Sequence, residues 1–399
     1  MSWMNLVTKE VMREVWSLRE LLHQRPELGW QETETMRLVT EHLVRAGLQA
    51  TTVEGGIYAD LIVNPDWPLV GFRADLDALA MDEASELRYA SQNPGVMHAC
   101  GHDGHTAMLL VAMQILAEHR ELCRRNIRFL FTQAEEIPPG GEPKLIAAGG
   151  AKELSRCYGL HLWTERPTGT FHTLVGNITS HSDRATITLN TDGGHAKDLH
   201  RKGSLINADA WLTHSLKVNC TDPFPDQGFV HRTFAISPTK APNILPATCT
   251  FEISLRARTT EIYEQVRAQF GNVIDLFRET FLDVGITVDY RQGHVPTYLS
   301  TGPTAIAVQA AREVAAWDQS QFYGNSHVND QMDQMLGGES FGRFWTEAQV
   351  PLSFVMLGAG GRGRVDEVHG FEHHTPKFNP DANALQLGVA YWLALAGRS

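Results

Sequence analysis

One cysteine and three histidines fall within the nine residues MHACGHDGH (97–105), immediately before an apolar stretch. Cys100 and His102 form a Cys-x-His pair that lies between His98 and His105. Thiolate and imidazole are good ligands for zinc and related metals. The pair alone is equally compatible with a buried cysteine beside histidines that cap a helix. It therefore indicates a metal site only if other ligands join it.

Two adjacent carboxylates, Glu135 and Glu136, follow the apolar segment FLFTQA. One of them could bind a metal while its neighbour acts as a general base on a metal-activated water. Asp75 and Asp77 likewise follow a strand-like segment. They either cap the next turn or orient a ligand histidine.

Two further histidine segments extend this set. His161 interrupts the apolar segment CYGLHLW, where a histidine is more often a satisfied core residue than a ligand. The segment HHTPKF (373–378) is uninformative by itself. Together, the acids, histidines and thiol at predicted strand ends favour a metal site.

The elements that must position these residues alternate between strand and helix. The apolar patterns predict a helix over 105–119 and strands over 58–63, 68–75, 127–133 and 157–162. Such alternation predicts an α/β fold with a mainly parallel sheet sandwiched by helices. Ligands of such sheets gather at the carboxyl ends of the strands.

The middle of the chain has a different pattern. Residues 184–191 and 250–259 alternate apolar and polar side chains, as half-exposed antiparallel strands do, and helical stretches lie near 205–217 and 261–282. Helix, strand and helix then return over 301–317, 351–358 and 383–397. We therefore predict a smaller α+β domain (180–297) inserted into a larger α/β domain (1–179 and 298–399).

Composition excludes several classes of protein. The 399 residues, 43% of them apolar, carry a net charge of −12, which argues against binding to nucleic acid or an anionic membrane. The sequence has neither an apolar run of membrane-spanning length nor a signal-peptide pattern. Its five scattered cysteines predict a reduced, cytoplasmic protein.

The order and spacing of several motifs resemble those of the two-metal aminoacylase, carboxypeptidase and auxin-conjugate hydrolase family. Within it, the hippurate hydrolase and N-acyl-amino-acid amidohydrolase branch is the most similar. The motifs that carry the resemblance are LLHQRPELGWQETET, FRADLDALAMDE, GVMHACGHDGHTAML, FTQAEE, GLHLW, GGHA, PNILPATCTFEISLR, GGESFGRF and HTPKF.

The resemblance implies a zinc-peptidase-like catalytic domain with two divalent metal ions, zinc or manganese before cobalt or nickel. It implies Glu135 as general acid/base and Asp75 as the acid that orients the metal site. The matching metal-ligand positions are Cys100, His102, Glu136, His161 and His374.

The inserted domain is implied to act as a lid and to form a homodimer. His195 matches a histidine that reaches a partner subunit's active site and polarises the scissile carbonyl. Asn243 and Arg256 match positions that hold the substrate's carboxylate or carbonyl, although Arg256 would also suit a solvated strand face.

The function expected from this resemblance is hydrolysis of a small N-acyl amino acid or related amide by metal-activated water. The alternatives are a dipeptidase or carboxypeptidase of the same fold, and release of an aryl amine. A further alternative is a catalytically silent metal-binding protein, against which the intact Glu135 argues.

Three positions depart from the family's pattern. Ala80 stands where a proline is usual, and Ser340 where an aspartate is usual. The segment after His195 is AKDLH, in which His200 is a candidate replacement for the expected histidine.

Overall fold

The computed structural model describes residues 2–198, 205–236, 243–321, 326–361 and 372–398. The chain forms two compact units. The larger unit comprises Met1–Ile178, Thr297–Asp333 and Ser340–Ser399, and the smaller comprises Thr179–Pro296 and Gln334–Glu339. The smaller unit thus takes in a short second segment that the predicted range 180–297 does not contain. The lid and dimerisation roles of that range stay predictions.

Eight strands form the main sheet of the larger unit, in the order β1-β2-β4-β3-β5-β16-β6-β15. They are β1 (Thr51–Val53), β2 (Gly56–Leu61), β3 (Leu69–Asp75), β4 (Asn126–Thr132), β5 (Leu154–Trp163), β6 (Thr170–His172), β15 (His327–Asn329) and β16 (Leu352–Gly358). The short strands β7 (Gly176–Asn177) and β14 (Tyr298–Leu299) pair separately.

The centre of this sheet is parallel: β3 pairs in parallel with β4 and β5, and β5 with β16. Antiparallel pairs join β1 to β2, β2 to β4 and β6 to β16. The predicted mainly parallel α/β fold is therefore confirmed. Every residue of β3, β4 and β16 is buried, so both faces of the sheet are covered.

Within the described ranges, seven α-helices accompany this sheet: α1 (Lys9–Gln24), α2 (Thr33–Arg45), α3 (His102–Glu118), α4 (Glu142–Ala147), α7 (Thr301–Gln321), α8 (Arg343–Ala348) and α9 (Ala382–Ala396). Helices α3 and α9 are buried on nearly all sides, which fits their apolar sequences. They pack against each other, and α1 and α7 pack beside them. The core of the unit thus lies between these helices and the sheet.

The smaller unit has a four-stranded antiparallel sheet in the order β10-β12-β8-β13. Its elements are β8 (His181–Asn190), β9 (Gly194–His195), α5 (Leu205–Cys220), β10 (Gly228–Ile236), β11 (Ile244–Leu245), β12 (Thr248–Ala257), α6 (Thr260–Thr280) and β13 (Gly285–His294). Alternate residues of β12 are buried, and α5 and α6 pack with them in one core. The α+β character predicted for this region is confirmed.

Candidate metal centre

Three neighbouring strands deliver acidic and imidazole side chains to one edge of the main sheet. Asp75 ends β3 and pairs in register with Thr132 at the end of β4, while His161 lies near the end of β5. Beyond β4, Ala134 adopts a left-handed conformation (φ 55°) that turns the chain into Glu135. Because these strands are parallel, their carboxyl ends meet where ligands bind in such folds.

Helix α3 begins at the same edge. Gly101 precedes it with φ 96°, a conformation that favours glycine, and this places Cys100 before the helix and His102 at its first turn. The hydroxyl of Thr106 donates to the backbone carbonyl of Asp75 (2.7 Å) and so ties the helix to β3. The helix begins three residues before the predicted start at 105 and ends at Glu118, next to the predicted end at 119.

The structure brings the five residues that match metal-ligand positions into one cluster. It contains sets of three side chains whose candidate ligand atoms all lie within 4.8 Å of one another. These sets are Cys100–His102–His161, Cys100–Glu136–His374, His102–Glu135–Glu136 and Asp75–His102–His105. Every member of the implied ligand set belongs to at least one of them.

The tautomers of two histidines leave a ring nitrogen free for a ligand. The Nδ1–H of His102 donates to the backbone carbonyl of Asp77 (2.9 Å) and that of His161 to the carbonyl of Leu162 (2.6 Å). The buried Nε2 of His102 has no hydrogen-bond partner among the described residues. Nε2 of His161 lies 3.5 Å from the sulfur of Cys100. Metal-bound histidines are held in this way by their second nitrogen, so these residues fit a metal.

The electrostatics of the cluster also favour a cation. Burial disfavours the charged form of His102, yet Asp75 and Cys100 raise its pKa well above the usual value. Burial and nearby Glu136 raise the pKa of the Cys100 thiol, so this sulfur loses its proton readily only when a cation compensates the charge. A divalent metal would supply that compensation.

The two adjacent glutamates have different environments. Burial disfavours the charge of Glu136, but His374 and His102 lower its pKa to about 2, and its Oε1 lies 3.1 Å from Nε2 of His374. Oε1 of Glu135 accepts a hydrogen bond from the backbone N–H of Ser340 (3.0 Å). Glu136 therefore suits a ligand, and Glu135, beside it and oriented by an N–H donor, suits a proton acceptor.

Asp75 lies behind the ligands and contacts His102, which belongs to the implied ligand set, and His105, which does not. It accepts a bond from Nδ1 of His105 (2.6 Å) and lies 3.9 Å from Nε2 of His102. Burial would raise its pKa, but His102, His105 and Arg73 hold that pKa well below the usual range. His105 also accepts the N–H of Leu162 (2.9 Å), so both of its nitrogens are engaged within the protein.

Three predicted site residues lie in the smaller unit. His195 is exposed on β9, which pairs with β11, and the backbone carbonyl of Asn243 accepts the N–H of Ala196 (3.0 Å). Arg256 is half-buried rather than solvated, and it donates to Ser254 Oγ (3.1 Å). His200 lies outside the described residues.

Sequence reasoning missed several buried groups around the cluster. Arg73 bonds Asp75 from within β3, and Glu32 and Glu142 lie near the Glu135 turn. A lone arginine in the apolar segment LVGFRAD is a signal that would have indicated a paired carboxylate, since a buried guanidinium requires one. Neither glutamate has a comparable local signal.

Comparison with known proteins agrees with this fold. Residues 71–398 match the model of peptidase family M20/M25/M40. The crystal structure of the Bacillus subtilis YXEP protein, described as a dinuclear metal-binding peptidase of the M20 family, covers 98% of both chains with a TM-score of 0.76 at 24% identity, a likeness that concerns the fold.

Two curated relatives were aligned over most of the chain. N-acetyl-L-cysteine deacetylase of Bacillus subtilis is 28% identical over 98% of this chain and 88% of its own. A Rhodococcus jostii protein named as glutamate–cysteine ligase 2-3 is 31% identical over 94% of this chain, which spans only 46% of that relative's length.

The family match and the fold define a class of metal-dependent hydrolases. The chain belongs to peptidase family M20/M25/M40, and the predicted family and enzyme class are confirmed. No helix within the described ranges is long and apolar enough to cross a bilayer.

Proposed function

We propose that this protein is a metal-dependent amidohydrolase that cleaves a small N-acyl amino acid or related amide. The observation that carries the proposal is the buried Nε2 of His102, which has no hydrogen-bond partner among the described residues and lies among a thiol and carboxylates, with Glu135 beside them. The deacetylase relative, whose name specifies an N-acetyl amino acid, supports this substrate class.

Two divalent ions would be held by Cys100, His102, Glu136, His161 and His374. When bound, they would lower the pKa of a water towards neutrality and polarise the amide carbonyl. Thiol, imidazole and carboxylate donors together suit zinc, with manganese next and cobalt or nickel as further candidates.

The proton transfers are assigned to Glu135. Its carboxylate accepts the proton of the attacking water and later delivers it to the amide nitrogen that leaves. The N–H of Ser340 fixes Oε1 (3.0 Å), which limits the rotation of this carboxylate. Asp75 orients His102 and His105, the two histidines beside it.

The smaller unit is assigned to substrate binding and assembly. We infer that His195 polarises the scissile carbonyl in a partner subunit of a homodimer, and that Asn243 and Arg256 hold the substrate's polar end. We also infer a cytoplasmic location, which the five free thiols support. Light scattering of the purified protein tests the dimer, and a monomer would remove the role of His195.

The substrate class is tested with metal-reconstituted protein and a chelator-treated blank. The panel contains N-acetyl, N-benzoyl and indole-acyl amino acids, dipeptides and aryl amides. We expect metal-dependent turnover of N-acyl amino acids. Turnover of dipeptides alone would assign a peptidase, turnover of aryl amides alone would assign release of an aryl amine, and metal binding without any turnover would contradict the proposal.

A further inference from the structure

Arg73 connects two carboxylates and a serine in the interior of the larger unit. Its Nη1 donates to Asp75 (2.7 Å), and its Nη2 donates to Glu142 Oε1 (2.6 Å) and Ser340 Oγ (2.9 Å). Its Nε donates to the hydroxyl of Thr132 (2.9 Å). The guanidinium is therefore bonded along both of its edges.

This cluster is almost entirely removed from solvent. The side chains of Arg73 and Glu142 are 1% and 0% exposed, and Ser340 is buried. Ions in such surroundings depend on their partners, because water cannot replace a lost contact. The buried carboxylates beside Arg73 thus depend on this guanidinium for compensation of their charge.

Glu142 and Ser340 occupy the same small space. A Cβ atom added to Gly140 would lie 2.5 Å from Glu142 Oε2 and 2.7 Å from Ser340 Cβ. The side chain at position 340 reaches the same guanidinium, since Ser340 Oγ lies 2.9 Å from Nη2 of Arg73. Here a hydroxyl stands at 340, and the carboxylate that meets Arg73 beside it comes from Glu142.

Ser340 also leads to the proposed proton acceptor. Its side chain is bonded to Arg73, and its backbone N–H donates to Oε1 of Glu135 (3.0 Å). A series of hydrogen bonds therefore connects Glu142 to Glu135 through Arg73 and Ser340. The proton transfer requires that the carboxylate of Glu135 be oriented.

We propose that Glu142 is a positioning residue for Glu135. Its carboxylate occupies the edge of Arg73 that an aspartate at 340 could also reach, and the cluster bonded in this way holds the N–H of Ser340 on Glu135. This inference rests on the proposed function, in which Glu135 transfers the proton.

The proposal predicts that a carboxylate at position 340 can substitute for that of Glu142. Glu142→Ala leaves Arg73 with one carboxylate fewer, and Ser340→Asp alone adds a further one beside it. The double variant Glu142→Ala/Ser340→Asp restores the number of carboxylates present in the wild type. Such dependence between neighbouring positions is measured by a double-mutant cycle.

The experiment measures the melting temperature of the metal-free proteins and the kcat and KM of the metal-loaded ones. We expect each single change to lower the melting temperature and to reduce kcat at least tenfold, with KM within twofold of wild type. The double variant should recover most of both losses. Glu142→Gln, which keeps the volume and one acceptor, should give an intermediate kcat and substitutes for Glu142→Ala if that variant does not fold.

A matched control is Asp60→Asn, which weakens a second arginine–carboxylate pair of the same sheet. Asp60 accepts from Nε and Nη2 of Arg128 (both 2.7 Å), away from the metal centre. We expect this change to lower the melting temperature and to leave kcat unaltered. An equal loss of kcat in the control would show a general effect of stability and overturn the positioning role.

Two results separate this inference from the proposed function. If the wild type is active and the losses of the two single variants simply add in the double variant, a carboxylate at 340 does not substitute for that of Glu142, and the proposal is overturned. A wild type that hydrolyses no amide refutes the proposed function and with it the positioning of Glu135, even if the melting temperatures show the recovery.

Discussion

Glu32 provides a pH-dependent test of how the Glu135 turn is held. Its side chain is buried, with 1% of the residue exposed. Oε1 accepts the N–H of Ala134 (2.7 Å), the residue in the left-handed conformation, and Oε2 accepts Nε2 of Gln133 (2.9 Å). Burial raises the pKa of this carboxyl from 4.5 to about 7, despite these bonds.

Ionisation of Glu32 destabilises the fold, because the pKa of this carboxyl is higher in the folded than in the unfolded chain. Below pH 4.5 the carboxyl of Glu32 is protonated in both the folded and the unfolded chain. As the pH rises towards 7, the unfolded chain ionises first and is favoured, so the fold loses stability. The difference between about 7 and 4.5, at about 1.36 kcal/mol per pH unit, amounts to about 3 kcal/mol of unfolding free energy.

Glu32→Gln imitates the protonated carboxyl at every pH. Urea unfolding of the metal-free wild type and variant should be compared between pH 4.5 and 8, since all other titrations cancel in the difference. We expect the variant to gain about 3 kcal/mol relative to wild type across this range. A difference that stays constant with pH would refute the reasoning.

Three further substitutions test other parts of the molecule. Cys100→Ala should lower the metal content measured by plasma emission, and full occupancy would remove Cys100 from the ligand set. Asp103→Ala removes the buried carboxylate that bonds Arg19 (3.0 Å) and His23 (2.7 Å), and should cost about 3–5 kcal/mol in urea unfolding, whereas a loss below about 1 kcal/mol would contradict the pairing. His195→Ala should reduce kcat about a hundredfold at unchanged metal content, as loss of an oxyanion donor does, and wild-type kinetics would exclude its role.

The strands and helices that position the metal centre were predictable because their patterns are strong. The runs over β3, β4 and β5 are mainly apolar, and the start of α3 overlaps a segment rich in ligand residues. The chemistry at their ends could therefore be located from residue types alone, and the structure brings those side chains together.

Other elements carry weaker signals. Edge strand β13 exposes half of its residues, and β10, the other edge, reads GFVHRTFAI without strict alternation. The charged residues of helix α2 lower its mean hydropathy, so its short apolar stripe is a weak sequence signal for a helix. Stability of these segments depends on packing, which a local pattern reports poorly.

The contacts that support the Glu135 turn could not be predicted from the sequence, because their partners lie far apart along the chain. Glu32 reaches Ala134 across more than a hundred residues, and Arg73 reaches Ser340 across 267. Nothing in the local sequence of either glutamate distinguishes a buried partner from a solvated charge. Only the fold places these groups beside the Glu135 turn.

The central claim is that Glu135 moves the proton at a metal centre built by the neighbouring residues. The most direct test compares wild type and Glu135→Gln for metal content and for hydrolysis of N-acyl amino acids. We predict equal metal content, an intact fold and loss of turnover by at least about a hundredfold. Turnover retained by Glu135→Gln, at the same metal content as wild type, would contradict the claim.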